Sequence, residues 1–310
     1  MKILLTGSSG FLGRHLRANL GSNSALKVTP VGRRVGDGNV IAREVDGLTA
    51  WADLLLGQDV VIHTAARAHV MEDEVADALA EYRRVNVDGT LNLARQAAAA
   101  GVKRFIFISS IKVNGEQTPL GQPFTADDTP APEDAYGISK WEAEQGLLQL
   151  ASETDMEVVI IRPPLVYGPG VKGNFANMIK LVSKGLPLPL GAIHNQRSLV
   201  ALDNLVDLIV TCIDHPAAAN QVFLAGDGQD LSTTRLLRCV ARALGKPSRL
   251  IPVPASFLKL AAALLGKKAV AQRLLGSLQL DISKARHLLG WTPPITVEEG
   301  FRRCFQSRDM

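Results

Sequence analysis

The sequence predicts an α/β protein with a Rossmann-type, doubly wound parallel sheet and a smaller α/β lobe toward the C-terminus. Two observations support this prediction. Near-continuous apolar runs of strand length alternate with longer helical patterns in the first half, and prolines and glycines become frequent after Arg162. Parallel strands buried on both faces require such continuous apolarity, so the alternation indicates parallel strands joined by crossover helices.

The predicted strands and helices follow one another closely along the chain. The predicted strands are residues 3–5, 27–31, 60–63, 105–109 and 158–161, and the predicted helices are residues 12–20, 78–100 and 136–153. Ligands of a doubly wound sheet bind at the carboxyl ends of its strands. Functional side chains are therefore expected directly after these runs.

The composition excludes several classes of protein. A hydrophobic fraction of 46% in 310 residues is ordinary for a globular protein with one large domain or two packed ones. The formal net charge of +4 mildly favours an anionic ligand such as a nucleotide. A random balance of surface charges explains it equally well. No Lys/Arg run resembles a nucleic-acid site, and the three cysteines lack metal-ligand spacing. We therefore expect reduced thiols, no metal and no nucleic-acid partner.

Membrane insertion is not expected, and we predict a cytoplasmic location. The N-terminal apolar run is too short for a secretory signal. The longest apolar stretch, residues 257–265, is interrupted by Lys259 and falls short of the roughly 20 residues that span a bilayer. A helix packed on the C-terminal lobe is the favoured interpretation of this stretch, and a helix lying on a membrane surface is the alternative.

A glycine-rich turn joins the first strand to the first helix and predicts a dinucleotide site. Gly7 permits the tight turn, Gly10 lets the backbone approach a pyrophosphate, and Gly13 allows close packing of helix and strand. The unpaired N–H groups of the helix N-terminus would face the anionic oxygens. Ser9, Phe11 and Leu12 complete the predicted loop.

The end of the second strand bears on the choice of dinucleotide. NAD-binding folds usually carry an acidic residue there for the ribose hydroxyls, whereas this chain has Arg33 and Arg34. A guanidinium group matches a 2′-phosphate, so we favour NADP(H) and keep NAD(H) as the alternative. Asp46, which lies between the second and third of the predicted strands listed above, is a candidate for the adenine edge.

Tyr136 and Lys140 lie four residues apart in a helical pattern, so they share one helix face. A neighbouring ammonium group and a positively charged nicotinamide would lower the pKa of the phenol and let it exchange protons near neutrality. Lys140 would also hold the nicotinamide ribose. Ser110 follows the fourth of the predicted strands listed above and would bind the reacting oxygen in the same cleft.

These motifs, with others, make the whole chain resemble the extended short-chain dehydrogenase/reductase family, in its nucleotide-sugar epimerase/dehydratase branch. The further motifs are His63-Thr64-Ala65-Ala66, Val85-Asn86-Val87-Asp88-Gly89-Thr90, Arg162-Pro163-x-x-Val166-Tyr167-Gly168-Pro169, Asp281-x-Ser283-Lys284-Ala285 and Leu289-Gly290-Trp291-x-Pro293. The resemblance implies a nucleotide-binding domain at residues 1–166 plus about 199–226. It implies a sugar-binding lobe at about 167–198 plus 227–310.

The resemblance also assigns roles to individual residues. It implies that Ser110, Tyr136 and Lys140 form the catalytic triad. The residues that it assigns to the cofactor are Ala65, Ala66, Asn86 and Pro163, and those that it assigns to the nucleotide diphosphate and sugar are Asn174, Arg197 and Arg273. Relatives often dimerise through the regions that correspond to residues 78–100 and 136–153, so a homodimer is a possible assembly.

Three departures from the branch pattern shape the predicted activity. Ile111 and Lys112 follow the catalytic serine where dehydratases carry carboxylates, so 4,6-dehydration is not expected. Asn114 stands where many relatives have tyrosine, and Leu165 stands where many epimerases have a substrate-binding asparagine. With Arg33, these two favour an NADPH-dependent reductase.

The favoured prediction is therefore reduction of a UDP-4-keto-6-deoxy-N-acetylhexosamine in O-antigen or lipopolysaccharide precursor synthesis. The alternative is a UDP-glucose or UDP-N-acetylglucosamine 4-epimerase that holds NAD tightly. Both activities use the same three catalytic residues, so the triad does not separate them. A remote third hypothesis is a dinucleotide-sensing protein without chemistry.

Overall fold

Seven parallel strands form the central sheet in a computed structural model that describes residues 1–34, 39–68, 77–171 and 173–306. The strands are β1 (Lys2–Thr6), β2 (Lys27–Gly32), β3 (Ile41–Ala42), β4 (Val60–His63), β5 (Arg104–Ile108), β6 (Glu157–Arg162) and β9 (Gln221–Leu224). Two further strands, β7 (Leu165–Tyr167) and β8 (Leu199–Ala201), pair with each other in parallel. The predicted doubly wound parallel sheet is confirmed.

The strand order β3-β2-β1-β4-β5-β6-β9 reverses direction between β1 and β4. The register pairs Thr6, the last residue of β1, with Val31 on one side and His63 on the other. In doubly wound sheets the crevice at such a reversal point is where ligands bind. The carboxyl ends of β1 and β4 therefore define where a ligand is expected.

Helices cover both faces of the sheet and form most of the C-terminal region. They are α1 (Phe11–Gly21), α2 (Ala52–Leu55), α3 (Ala78–Arg83), α4 (Thr90–Ala99), α5 (Ala135–Glu153), α6 (Gly173–Ser183), α7 (Leu202–Thr211), α8 (Thr233–Ala243), α9 (Ala255–Leu264), α10 (Lys268–Leu275), α11 (Ser283–Leu289) and α12 (Val297–Gln306). Single turns of 3₁₀-helix lie at Ile111–Val113 and Pro216–Ala218. No helix in the described ranges is long and apolar enough to cross a membrane.

The predicted helix over residues 78–100 is not one regular α-helix. A π-helix, Arg84–Gly89, interrupts it between α3 and α4. Gly89 packs so closely there that a Cβ atom would lie 2.8 Å from the carbonyl carbon of Val45. Apolar periodicity alone does not show such an insertion, because a π-helical turn changes the hydrogen-bond register without breaking the helical run.

The side-chain alternation of the strands supplies a core on each face of the sheet. Ile3 and Leu5 of β1 face α1 and α7, and Leu4 faces α4 and α5. Both clusters consist of fully buried aliphatic and aromatic side chains, which is what strands covered on two sides require.

A separate core lies in the C-terminal region around Phe175, Leu237 and Phe301. Strand β9 joins the central sheet beside β6, and α7 packs into the sheet's own core. Strand β8 instead pairs with β7, and its Leu199 and Ala201 belong to the C-terminal core. The division of the chain between two domains stays a prediction.

Candidate active site

The glycine-rich turn lies at the reversal point of the sheet. Gly7 has a φ of +68°, and a Cβ atom on it would lie 2.6 Å from the backbone nitrogen of Ala65. A Cβ on Gly13 would lie 2.1 Å from the carbonyl oxygen of Gly7. Both positions therefore exclude any side chain, and the chain from β1 passes directly against the chain from β4.

Helix α1 begins at this turn without a capping side chain. Its N-cap residue is Gly10, and Ser9 and Gly10 are exposed, whereas Phe11 and Leu12 are half-buried. Uncapped N–H groups at an exposed helix N-terminus attract anionic oxygens. The cradle without side chains and the uncapped helix together fit the pyrophosphate of a dinucleotide.

The other predicted dinucleotide contacts surround this crevice. Ala65 is half-buried and Ala66 is exposed just after β4. Arg33 and Arg34 are exposed directly after β2. A 2′-phosphate contact by these two arginines stays a prediction.

Asp46 has a local structural role that the sequence pattern did not indicate. Its Oδ1 accepts hydrogen bonds from the backbone N–H of Leu48 and of Thr49, each at 2.9 Å. The Thr49 hydroxyl donates a third, and these bonds lower the pKa of the carboxyl group. A contact of Asp46 with the adenine edge stays a prediction beside this observed role in the turn.

Ser110 lies at the carboxyl end of β5 and begins the 3₁₀ turn Ile111–Val113. It is half-buried, and its Oγ accepts a hydrogen bond of 3.2 Å from the backbone N–H of Lys112. Accepting this bond uses only a lone pair of the oxygen, so the hydroxyl hydrogen stays available for another acceptor. The side chain can therefore donate to a substrate oxygen.

Lys140 is buried one helical turn after Tyr136, with 1% of its surface exposed. Its Nζ lies 3.8 Å from the centre of the Phe107 ring on β5. Burial lowers the pKa of this ammonium group to about 7, against the opposing effect of Glu144. The group is therefore poised between its charged and neutral forms near neutral pH.

The phenol of Tyr136 packs edge-on against Tyr82 of α3, with ring centres 5.7 Å apart. Burial raises its pKa, and the negative charge of Asp134 and the Tyr82 phenol add to the effect. The direction is opposite to the lowering predicted for the complete site. The protein alone therefore favours the neutral phenol of Tyr136, because burial disfavours the charged form.

Two polar contacts fix the start of α5 beside the serine turn. Asp134 caps the helix, and its Oδ1 accepts from the backbone N–H of Gly137 at 2.7 Å. Its other carboxylate oxygen pairs with Lys112, which also pairs with Glu116 at 3.0 Å. Lys112 stands where dehydratases of the branch carry an acidic residue, and in this chain it has a structural role through these two ion pairs.

A buried ion pair attaches α5 to β6. Glu144 and Arg162 expose 0% and 3% of their side chains, and their closest N–O distance is 2.5 Å. A second arm of the Arg162 guanidinium donates to the Asn114 side chain at 2.9 Å, and Asn114 donates to the Thr125 carbonyl at 3.0 Å. Asn114 is 2% exposed. Its side chain therefore has an observed structural role in this buried network, and its interpretation as a marker of reductase activity stays a prediction.

Asn86 of the π-helix forms a second buried network. Its side-chain oxygen accepts from the Arg67 backbone N–H at 2.9 Å, and its amide donates to the Ser139 hydroxyl at 3.0 Å. Ser139 in turn donates to the carbonyl oxygen of Tyr136 at 2.8 Å. The chain after β4 is thereby tied to the first turn of α5. A direct cofactor contact of Asn86 stays a prediction, and so does that of Pro163, which is buried and accepts from the Ile111 N–H at 3.0 Å.

The predicted diphosphate arginines lie together at the end of α10. Arg197 donates from Nη1 to the carbonyl oxygens of Arg273, at 3.1 Å, and Gly276, at 3.2 Å. Burial lowers the pKa of Arg197, and within the described residues it forms no ion pair. A guanidinium held by carbonyls keeps its charge available for an anion. The Arg273 side chain is exposed, and the side chain of Asn174 lies outside the described residues.

The sequence patterns missed the residues that hold the site together. Glu144 follows Lys140 by four residues on α5, which is the spacing of one helix face, whereas Ser139 is adjacent to Lys140 and Asp134 is the N-cap residue. The signal that the sequence offers for Glu144 is a glutamate at a helix position that faces the apolar core, because glutamate is rarely fully buried unless it is paired. The described residues contain no cluster of His, Cys, Asp and Glu that could hold a metal ion.

Comparison with known proteins identifies relatives over the full chain. The model of the "NAD dependent epimerase/dehydratase family" matches residues 3–226. A UDP-glucose 4-epimerase from Vibrio cholerae is 54% identical, over 98% of this chain and 94% of the relative. An Escherichia coli O157:H7 N-acetyl-α-D-glucosaminyl-diphospho-ditrans,octacis-undecaprenol 4-epimerase is 30% identical over 98% and 94%.

A reductase and a solved structure are similar to the chain at lower sequence identity. A GDP-6-deoxy-D-mannose reductase from Pseudomonas aeruginosa is 27% identical, over 97% of this chain and 95% of the relative. The structure of a UDP-glucuronic acid 4-epimerase from Bacillus cereus with NAD superposes with a TM-score of 0.77 at 24% identity, covering 98% and 97% of the two chains. At this identity the superposition shows a shared fold.

The buried ion pair generates a stability prediction. Glu144→Gln should lower the free energy of unfolding by about 3–5 kcal/mol, because it leaves the Arg162 charge buried without a counter-charge. Glu142→Gln on the same helix, which removes the exposed pair with Arg83, should change it little. Urea unfolding of both variants measures the difference.

The paired replacement Glu144→Leu with Arg162→Met is the second control. It removes both charges at similar volume and should recover most of the loss. Equal effects of Glu144→Gln and Glu142→Gln would contradict the structural role assigned to the buried pair.

Proposed function

We propose a function from one established premise: the chain belongs to the NAD-dependent epimerase/dehydratase family and is an enzyme of that family. The proposed reaction is the inversion of C4 in a UDP-hexose such as UDP-glucose. The observation that carries it is the 54% identity to the Vibrio cholerae UDP-glucose 4-epimerase over nearly the whole of both chains. This reverses the order of the two activities predicted from sequence, since the reductase was favoured there.

The site supports a bound dinucleotide. Gly7, Gly10 and Gly13 with the start of α1 would hold the pyrophosphate, and Lys140 would hold the nicotinamide ribose. A nicotinamide ring held there would supply reversible hydride transfer at C4 of the sugar. An epimerase consumes no net reductant, so NAD⁺ retained through the cycle is the cofactor that we propose.

The chain's own residues would move the proton of the 4-hydroxyl group. Tyr136 takes this proton as a phenolate and returns it to the same oxygen after C4 is inverted. The Ser110 hydroxyl donates a hydrogen bond to that oxygen and fixes its position. Burial raises the pKa of Tyr136 in the protein alone, so the phenolate requires additional positive charge close by. An oxidised nicotinamide ring and a protonated Lys140 would supply that charge.

This electrostatic coupling would set the protonation state of Tyr136 according to the charge of the dinucleotide beside it. A positive charge beside the phenol would lower the pKa of Tyr136 and let it act as a base. Without that charge the pKa would rise again, and Tyr136 would favour holding or returning a proton as an acid. The charge of Lys140 would also respond to its surroundings, because burial lowers its pKa to about 7.

Arg197 would bind the diphosphate of the substrate. Its guanidinium is held by two backbone carbonyls and has no carboxylate partner in the described part of the chain. A planar guanidinium suits two phosphate oxygens, and partial burial strengthens the attraction.

The central prediction is epimerisation without added cofactor. Purified enzyme incubated with UDP-glucose, or separately with UDP-N-acetylglucosamine, should produce the C4 epimer of at least one, detected by proton NMR of the anomeric signals. Tyr136→Phe should lower turnover by roughly a hundredfold or more, because it removes the positioned acid/base group.

Tyr82→Phe is the matched control, since it removes a hydroxyl from the ring that packs against Tyr136. It should retain far more activity than Tyr136→Phe. Absence of any epimer, combined with NADPH oxidation on a 4-keto sugar nucleotide, would reject the epimerase.

The state of Tyr136 can be followed by absorbance, because the chain has only three tyrosines. The difference spectrum between wild type and Tyr136→Phe at 295 nm isolates its ionisation. Without dinucleotide the pKa should lie above the ordinary value of 10.0. Oxidised dinucleotide should lower it by roughly one to three units relative to the reduced form. Identical titrations in both redox states would refute the proposed coupling.

A 4-keto reductase that uses NADPH is the second candidate function. Arg33 and Arg34 are exposed directly after β2, where an acidic residue would be expected for NAD. The Pseudomonas aeruginosa GDP-6-deoxy-D-mannose reductase, although only 27% identical, covers nearly the same length. The two functions differ in whether the dinucleotide is retained or exchanged after each turnover.

Arg33→Asp tests the cofactor choice of this second candidate. If a 2′-phosphate binds here, the substitution should raise the KM for NADPH by roughly tenfold or more, because a charge-assisted contact is lost and repulsion is introduced. The KM for NADH should change much less in the same steady-state assay. Equal changes for both cofactors would remove Arg33 from 2′-phosphate recognition.

A further inference from the structure

Helix α9 has apolar side chains on two opposite faces. Ala255 and Leu258 pack against the C-terminal core. Phe257, Leu260 and Leu264 lie on the other face at helical spacing and expose 66%, 60% and 81% of their surfaces. None of the residues of α9 is fully buried. An apolar helix face that its own fold leaves open is expected to meet an apolar surface elsewhere.

The exposed apolar surface continues past α9 into the helix that follows. Leu265, in the connecting turn, is 71% exposed, and Val270 of α10 is 50% exposed. Helices α9 and α10 contact each other and form a helical hairpin over residues 255–275, named the basic hairpin below. Large apolar side chains are therefore exposed on both helices and in the turn that joins them.

Charge is strongly segregated around this hairpin. Between Asp230 and Asp281 the sequence has nine Lys and Arg residues and no Asp or Glu. The other residues hold 25 basic and 30 acidic side chains, so they carry a formal charge of −5 while this stretch carries +9. All nine basic side chains are exposed. The basic residues are Arg235, Arg238, Arg242, Lys246, Arg249, Lys259, Lys267, Lys268 and Arg273.

Three of these charges lie within two residues of an exposed apolar side chain in the hairpin. Lys259 lies on the flank of α9, roughly 100° around the helix from Leu260, and Lys267 and Lys268 lie in the turn and at the start of α10. Across the described ranges none of the three forms an ion pair. Aliphatic and aromatic side chains bordered by unpaired ammonium groups are the surface that binds the boundary between acyl chains and anionic headgroups.

We propose that the basic hairpin docks the enzyme on the surface of an anionic phospholipid bilayer. Phe257, Leu260, Leu264 and Leu265 enter the headgroup boundary, and the lysines pair with lipid phosphates. This is attachment to one face of the bilayer and not insertion across it. A second copy of the chain is a poorer occupant, because a symmetric contact would place the same lysines against one another.

The docked orientation would place the membrane near the predicted diphosphate site. Helix α10 runs from the exposed turn to Arg273, whose carbonyl oxygen accepts from the Arg197 guanidinium at 3.1 Å. The hairpin is therefore continuous with the wall that holds Arg197. Docking does not depend on the reaction proposed above, since it uses none of the residues assigned to chemistry.

The test is flotation of the full-length enzyme with lipid vesicles. Wild type should float with phosphatidylcholine–phosphatidylglycerol vesicles and not with phosphatidylcholine vesicles, and added salt should release it. The triple variant Lys259→Glu, Lys267→Glu, Lys268→Glu should lower the partition coefficient by roughly a hundredfold. The double variant Leu260→Gln, Leu264→Gln should lower it at least tenfold.

Matched controls separate docking from general charge and hydrophobicity. Lys27→Glu, Arg95→Glu and Lys103→Glu reverse three exposed charges elsewhere and should lower partition far less than the hairpin triple. Leu48→Gln with Leu120→Gln replaces leucines that are 95% and 66% exposed and should leave partition unchanged. Unaltered thermal unfolding shows that the hairpin variants fold.

Three outcomes overturn the proposal. Wild type that floats with neither kind of vesicle, or equally with both, excludes an anionic-membrane surface. Hairpin variants that partition like their controls exclude this hairpin as the contact. Hairpin variants that abolish a dimer in sedimentation, while vesicle binding is absent, assign the surface to a second copy of the chain.

Discussion

The buried contact between Glu144 and Arg162 is the constraint on which the candidate site depends. It joins the middle of α5 to the last residue of β6, and the remaining arm of the guanidinium reaches Asn114 beyond the serine turn. One charge pair therefore sets the positions of the helix that carries Tyr136 and the loop that begins at Ser110. A pair this deeply buried is tolerated because both Glu144 oxygens accept from Arg162 and the remaining arm of the guanidinium donates to Asn114.

The electrostatics of the site follow from the same burial. Lys140 is enclosed by the sheet and the ring of Phe107, which weakens its charge, and the Tyr136 phenol resists ionisation for the same reason. Keeping both Lys140 and Tyr136 charged without a ligand would require more solvent around them in the cleft. Burial instead disfavours the charged form of each group, so a nearby positive charge would be needed to favour the phenolate.

Much of the fold and some of the site could be predicted from sequence. Continuous apolar runs and the spacing of glycines depend on local geometry, so they identified the central strands and the turn after β1. The networks around Asn86, Glu144 and Asp134 could not be predicted, because they depend on which buried polar atoms meet after packing. Asn114 shows the difference: the sequence identified it only as a departure from the tyrosine of many relatives, and its hydrogen bonds with Arg162 and Thr125 became visible only in the folded chain.

The concentration of positive charge in one region of an otherwise acidic chain has a consequence for diffusion. A molecule with such separated charge has a permanent dipole moment, and an extended negative surface exerts a torque on it before contact. The torque acts over roughly one screening length, about 10 Å at moderate ionic strength. The molecule would thus arrive already rotated with the same end foremost, and dilute electrolyte would extend the range over which this alignment operates.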